Sequence, residues 1–281
     1  MHPTIISFGP LAIRSYGLML AAGFLTGIIL AAWRAKRVGE NPEHIYNISV
    51  WLVVSSLLGA RLYYVVTHYH EYRAAEGVPL LQRIFIEAKN MFWPIGSDGK
   101  VGIDGLVLYG GVILATIAAA VYLKRHKLSV PKYMDIMAPS LGIGEFFTRI
   151  GCFFNGCCFG HPTDSWFGVV FPDSSAAGYY YPDIHIHPSQ LYNSFAGLSI
   201  LVLLLVLERF KKFDGFTALL YFVLYSAGRF IIDFTRYYEK RLTVYGLSHN
   251  QILSVFIFII TAGLLFYFTY KSGRQKTGTI Q

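Results

Sequence analysis

Apolar residues in this chain are grouped in long blocks rather than alternating with polar ones, and a block of about 20 is what an α-helix needs to cross a bilayer. Seven such blocks can be drawn, at 15–33, 45–68, 104–123, 133–152, 188–207, 215–235 and 249–270. The pattern predicts an all-α integral membrane protein with about seven transmembrane helices. No repeat or low-complexity tract divides the chain, so residues 1–281 are read as a single polytopic domain, with 69–103 and 153–187 as extracytoplasmic connections. The residues before Ser15 lack a basic start, a short apolar core and a small-residue cleavage site. No removable signal peptide is expected, and the first helix stays in the protein.

The polar residues between blocks orient these helices. Arg34, Lys36 and Arg37 follow the first block, Lys124, Arg125, Lys127 and Lys132 the third, Arg209, Lys211 and Lys212 the fifth, and Lys271, Arg274 and Lys276 the seventh. Basic residues gather on the cytoplasmic side, which places the N-terminus outside and the C-terminus in the cytoplasm of a multi-pass membrane protein. Composition agrees: residues are 54% hydrophobic and only 14% charged, too few charges to solvate a soluble domain of this length. The net charge of +8 is accounted for by basic inner loops facing anionic membrane lipid, so nucleic acid is not an expected partner.

Against this apolar background three arginines stand out: Arg61, Arg149 and Arg229, each inside a block. An arginine at the middle of a spanning helix costs roughly 2.5–3.5 kcal/mol on insertion scales, so it usually has a partner or a task. All three precede the outer ends of outward-running helices, roughly 5–10 Å below the outer surface at ~1.5 Å of rise per residue. Tyr16, Tyr109, the run His187 to Gln190 and the run Ser248 to Gln251 begin the inward-running helices at the same level. Polar chemistry converges on the outer half, and clustered guanidinium groups point to an anionic ligand.

A plainer reading stands beside this one. Glu145 lies four residues before Arg149 and Asp233 four after Arg229, so each arginine could be half of an intrahelical ion pair. Arg61 has no acid within a turn and would have to snorkel or bond backbone carbonyls. Tyrosines such as Tyr179, Tyr180 and Tyr181 suit a membrane interface. Gly110, Gly111, Gly142, Gly144 and Gly151 could simply permit close helix contact.

The most specific spacing is at the end of the fourth block, from Arg149 through Gly151, Cys152, Phe153, Asn155, Gly156, Cys157 and Cys158 to Gly160. Here the chain resembles the prolipoprotein diacylglyceryl transferases, whose signature reads Gly-Arg-Ile-Gly-Asn-Phe-x-Asn-Gly-Glu followed shortly by Gly. Ile13 to Met19, Gly59-Ala60-Arg61, Asp135 to Pro139, His187 to Tyr192, Gly228 to Phe234 and Gly246 to Ile252 resemble further blocks of the family, in order along the chain. Thr148, Cys152 and Cys157 depart from Gly, Asn and Glu in the signature, and Tyr109 stands where many members have His before Gly-Gly. The chain resembles a cysteine-bearing branch of the family.

The resemblance implies transfer of the diacylglyceryl group of phosphatidylglycerol to the lipobox cysteine thiol of a prolipoprotein. A thioether forms and glycerol phosphate leaves, with no cofactor and no metal. Arg149 and Arg229 would grip the phosphate, with Arg61 holding a second oxygen or the pocket geometry. Asn155, Gly151, Gly160, Gln190 and His187 would complete the substrate site. The thiol, ordinarily near pKa 8.5, must lose its proton. Tyr109, Tyr16, His187, His249 and the unaided arginine field all remain open as the means. Cys152, Cys157 and Cys158 suit a structural disulfide or close packing; a thiol-redox role, or metal binding together with His161, is weaker, since neither a Cys-x-x-Cys nor a zinc-module spacing is present. A small-anion transporter or channel is the other functional class, but the inner halves at 28–32 and 202–206 are apolar and close any path.

Overall fold

The structure is a computed structural model that describes residues 4–8, 11–73, 78–92, 107–238, 243–244 and 246–277. Two short strands, β1 (Thr4–Phe8) and β2 (Leu11–Arg14), precede α1 (Ser15–Arg37) and α2 (Pro42–Thr67). A 3-10 turn (Tyr69–Tyr72) leads to α3 (Leu80–Phe92), then α4 (Leu108–Arg125) and α5 (Val130–Asn155). A short α6 (Ala176–Tyr180), α7 (Ser189–Leu207), α8 (Phe216–Asp233), the strand pair β3 (Thr243–Val244) and β4 (Leu247–Ser248), and α9 (His249–Thr277) complete the chain.

Each of the seven apolar blocks is a long helix, so the chain is an all-α membrane protein. Six of the seven helices are long and apolar enough to cross a membrane; α5 is not among them, because Lys132, Asp135, Glu145 and Arg149 interrupt its apolar run. Helix α1 extends past residue 33 to Arg37, where Arg34, Lys36 and Arg37 complement the negative end of the helix dipole. The expected start of the third block, 104–106, lies outside the described residues. The 69–103 connection holds a feature that a count of apolar blocks does not reveal: α3, too short to span and strongly amphipathic.

The helices pack as two compact units. One takes in α1 and α5 through α9, and the other α2, α3 and α4.

Within the first unit, the end of α5 opposite Arg149 is fixed by buried polar groups. Pro139 has no N–H, so the carbonyl of Asp135 one turn earlier loses its helical donor. Arg34 supplies the replacement: its Nη2 donates to Asp135 O at 3.1 Å and its Nε to Ile136 O at 3.0 Å, while both terminal nitrogens grip Glu208 at 2.6 and 2.8 Å. The Asp135 carboxylate accepts from the backbone N–H of Gly215 and Ala218 and so caps the start of α8, with Lys211 3.0 Å away. Ala138, Ile200, Leu204, Ala218 and Tyr221 close the core between α5, α7 and α8. At the start of α9, Ser248 Oγ accepts from Gln251 N while Gln251 Oε1 accepts from Ser248 N, the reciprocal capping box.

In the second unit α2 and α4 meet at glycine. A Cβ built on Gly59 would lie 2.3 Å from Gly110 O, and one on Gly110 2.3 Å from Gly59 O, so only hydrogen fits on either side.

Candidate functional site

Helix α5 ends in a turn that the sequence prescribes. Gly156 takes φ +65°, Gly156 N donates to Phe153 O at 3.1 Å and Cys157 N to Cys152 O at 3.2 Å, which is the paired bonding of a Schellman C-cap. Asn155-Gly156 is therefore a stop signal as well as a motif. Such a cap folds the residue after the glycine back over the helix's last turn, here laying Cys157 against Cys152. Cys158 follows at φ +61°, a left-handed conformation uncommon for a non-glycine residue, and its thiol joins the other two. The three Sγ atoms lie within 4.8 Å of one another and none is in a disulfide, so of the two plain readings, a structural disulfide or close packing, the structure shows close packing of free thiols.

Arg149 is one turn before Cys152 on the same face, and its Nε donates to Glu145 Oε1 at 2.8 Å. Tyr16, at the start of α1, packs on Gly151, where an added Cβ would meet its Cα at 3.2 Å and its ring at 3.3 Å. It lies within electrostatic reach of Arg149 and all three cysteines. Beyond the C-cap the chain turns through Gly160, whose N–H donates to His187 O at 3.1 Å and which bridges to Arg236. A Cβ there would strike Ser189 Oγ, Thr235 O and His187 O at 2.5 to 2.6 Å. Gln190 is fully buried; its Nε2 donates to Cys157 O at 2.9 Å, and its Oε1 has no hydrogen-bond partner among the described residues. His187 shares a 3.1 Å hydrogen bond through Nδ1 with the Tyr192 hydroxyl. Arg149, Tyr16, Gly151, Asn155, Gly160, His187 and Gln190 thus belong to one unit and gather on the C-terminal end of α5.

Arg229 is in the same unit, and its guanidinium is engaged internally. Nη1 donates to Asn193 Oδ1 at 3.3 Å, and Nη2 contacts Asp233 Oδ1 and the Tyr238 hydroxyl, both at 3.1 Å. Tyr238 in turn donates to Asp233 and accepts from Asn250, while Ser248 donates to the other Asp233 oxygen. Both intrahelical ion pairs anticipated from spacing are present. Tyr225 lies within reach of Arg149, Arg229 and Glu145. Beside it Glu145, Asn193 and Arg229 line a cavity of about 10 Å³, room for about one water. Asn193, Tyr225 and Tyr238 are not expected at the site from sequence; for Asn193 the available signal is its position three residues after Gln190 on one helix face.

Arg61 and Tyr109 lie in the second unit. Arg61 Nε donates to Met91 O at 2.7 Å in the last turn of α3, and its guanidinium lies over the rings of Tyr64 and Tyr72 at 5.8 and 5.5 Å. This is the backbone-carbonyl role anticipated for an arginine without a nearby acid. Tyr109, in the first turn of α4, is 64% exposed.

Two shifts outside the helices bear on the site. Hydrogen bonds from Cys152 and Cys157, aided by the positive charges of Arg236 and Arg149, hold the Cys158 thiol below the ordinary thiol value. Burial, and then the neighbouring His187, hold His161 below the ordinary histidine value. His161 is not part of the thiol cluster; its backbone N–H pairs with Thr235 O and its ring contacts Tyr237.

Comparison with known proteins gives one consistent result. Residues 3–267 match the profile of a family described as prolipoprotein diacylglyceryl transferase. A phosphatidylglycerol–prolipoprotein diacylglyceryl transferase of Clostridium tetani is 32% identical over 92% of this chain and 95% of its own length. A protein of the same name, numbered 2, from Clostridium perfringens is 32% identical over 95% of each chain. A third, from Clostridium botulinum, is 29% identical over 98% of this chain and all of its own.

Proposed function

The chain belongs to the prolipoprotein diacylglyceryl transferase family, and on that premise we propose that it joins the diacylglyceryl group of phosphatidylglycerol to a lipobox cysteine, with Arg149 meeting the lipid phosphate. It is a diacylglyceryl transferase of the first step of lipoprotein maturation, and its relatives are named for the same two substrates. In the proposed reaction the substrate thiolate attacks the glyceryl carbon, the carbon–oxygen bond breaks, and glycerol phosphate leaves with the electron pair. The leaving group gathers negative charge. A guanidinium answers that charge with a planar fork that stays protonated, and a site shielded from water strengthens the interaction.

The observation that carries the assignment is the placement of Arg149 nearly two turns before the Asn155-Gly156 cap, in the same unit as Tyr16, Gln190 and His187. Glu145 and Asp233 are counter-ions of the resting state. Because the cavity beside Arg229 has room for about one water, a phosphate reaches the arginines by taking the place of a carboxylate rather than by filling a vacant clamp. Arg229 then contributes through its network with Asn193, Tyr238 and Asp233. Arg61 holds α3 against α2 through Met91. We place the seven long helices across a bacterial inner membrane with the N-terminus outside, which puts the reaction in the outer half and lets the lipid enter sideways.

Membranes containing the chain, given phosphatidylglycerol and a lipobox peptide, are expected to yield peptide heavier by one diacylglyceryl group. A peptide with Ser in place of its Cys should stay unmodified. Modification of the Ser peptide, or none of the Cys peptide with the protein present at normal level, would overturn the proposal.

A further inference from the structure

The three thiols at the end of α5 are more than the transfer reaction, as described so far, requires. Cys152 is buried, Cys157 and Cys158 are half-buried, and the C-cap and the left-handed Cys158 turn their sulfurs toward one another. Left-handed backbone at a non-glycine residue persists only where the surroundings impose it. Three sulfurs around a tetrahedral zinc at ~2.3 Å would sit about 3.8 Å apart, so the observed cluster, with no pair beyond 4.8 Å, needs only a small contraction. Three protein ligands with one side open is the pattern of a catalytic rather than a closed structural zinc site.

We infer that Cys152, Cys157 and Cys158 form a three-thiolate site for a soft divalent cation of the zinc class, and that the prolipoprotein thiol takes its open fourth position. The second half of this inference rests on the transferase reading; the first does not. Sulfur ligands select soft cations, and a coordinated thiol is deprotonated outright, which supplies the proton loss without a tyrosine or histidine base. The substrate thiol gives its proton to solvent as its sulfur displaces water from the metal. That sulfur forms the new bond to the glyceryl carbon while the carbon–oxygen bond breaks, and the electron pair leaves with glycerol phosphate. The product thioether is a weak ligand and is replaced by water, and the metal stays divalent throughout. Placement favours the step: Arg149 is one helical turn from Cys152 and within electrostatic reach of Cys158, so phosphate and thiol would be held side by side.

The test uses the full-length protein in detergent with a non-chelating reductant. After loading with Co²⁺ or Zn²⁺ and desalting, about one metal ion per chain is expected, with a thiolate-to-cobalt charge-transfer band and loss of maleimide labelling at the three cysteines. Cys152→Ser and Cys158→Ser should each abolish the band, and His161→Ala should keep it. Adding a lipobox peptide should change the cobalt spectrum, whereas its Ser counterpart should not. Stripped enzyme should turn over about tenfold more slowly at pH 7, with the deficit shrinking as pH passes about 8.5, where free thiol ionises. Wild type that binds no metal, or a Cys152→Ser/Cys158→Ser double variant that retains it, overturns the site; because both are read without activity, neither depends on the variants being active. Metal bound without response to the peptide thiol, together with undiminished turnover when stripped, overturns the catalytic half. If loaded enzyme modifies no peptide at any pH while metal and peptide both bind, the failure is that of the transferase reading.

Discussion

Arg149 and Arg229 carry the same charge on neighbouring helices, yet their surroundings assign them different work. Arg149 is tied to Glu145 and sits at the helix end; Arg229 is wrapped by Asn193, Asp233 and Tyr238. Arg149→Lys keeps the charge and loses the planar fork, so transfer is expected to fall roughly 100-fold or more with the protein still inserted at normal level. Near-normal turnover by that variant would remove Arg149 from the phosphate. Arg61→Lys should be milder, because the contacts described for Arg61, with Met91 O and the rings of Tyr64 and Tyr72, are those of helix packing. Tyr109 gives a sharper comparison. As a base its Tyr109→Phe change would cost about 10²–10⁴ in rate; the metal-bound thiol inferred above needs no such base and predicts a loss no greater than about tenfold. Rates for Tyr109→Phe and Tyr109→His across pH 6–9 distinguish these outcomes.

At the scale of elements, the signature's Asn155-Gly156 does mechanical work. Gly156→Ala would place a Cβ 2.5 Å from that of Ser175 and force a side chain into the left-handed region, at about 1–2 kcal/mol for the conformation alone. The expected result is a lower melting temperature together with lost thiol clustering, read as faster maleimide labelling of Cys157. The loop held between Gly160 and His187 should also respond to acid. His161 has its pKa lowered in the fold, so above about 6.5 neither state is protonated and it contributes nothing. As pH falls below that value the unfolded chain takes the proton first and native stability drops, until the folded group protonates as well. Melting at pH 5.5 and 7.5 checks this, since His161→Gln should narrow the difference. Long apolar runs made the seven helices legible in the sequence, and the Glu145–Arg149 and Arg229–Asp233 pairs followed from helical spacing. Helix α3 was not legible because its apolar stripe is broken by polar residues and too short to span. Close packing of the three cysteines and the Asn155-Gly156 stop were legible, but the convergence of all three sulfurs was not, because it also depends on the left-handed backbone of Cys158, which spacing alone does not encode.

For the whole molecule, the informative residue is one that composition files under the wrong heading. Arg34 reads in the sequence as one of the basic residues that mark the cytoplasmic face, yet it is 3% exposed, with both ends of its guanidinium bound to Glu208 and its remaining donors on the carbonyls beside Pro139. Removing it leaves the Glu208 carboxylate, itself 29% exposed, and a buried proline-orphaned carbonyl without this donor, a change worth about 1–3 kcal/mol. Arg34→Ala is therefore expected to lower the amount of folded protein, while Arg37→Ala, at an exposed position on the same helix, should not. Orientation rests on the exposed basic residues that remain. If Lys124, Arg125 and Lys127 at the end of α4 and Arg274 in α9 lie inside, a reporter active only outside the cytoplasm should be silent when fused after Lys127 or Arg274. It should work when fused after Phe171, in the connection from 153 to 187 that carries no lysine or arginine. Because Arg34 is withdrawn from the surface count, Arg34→Gln should weaken folding without inverting the reporter pattern, whereas a reversed pattern in the wild type would move Arg149 and the thiols to the inner half and away from a prolipoprotein thiol presented outside.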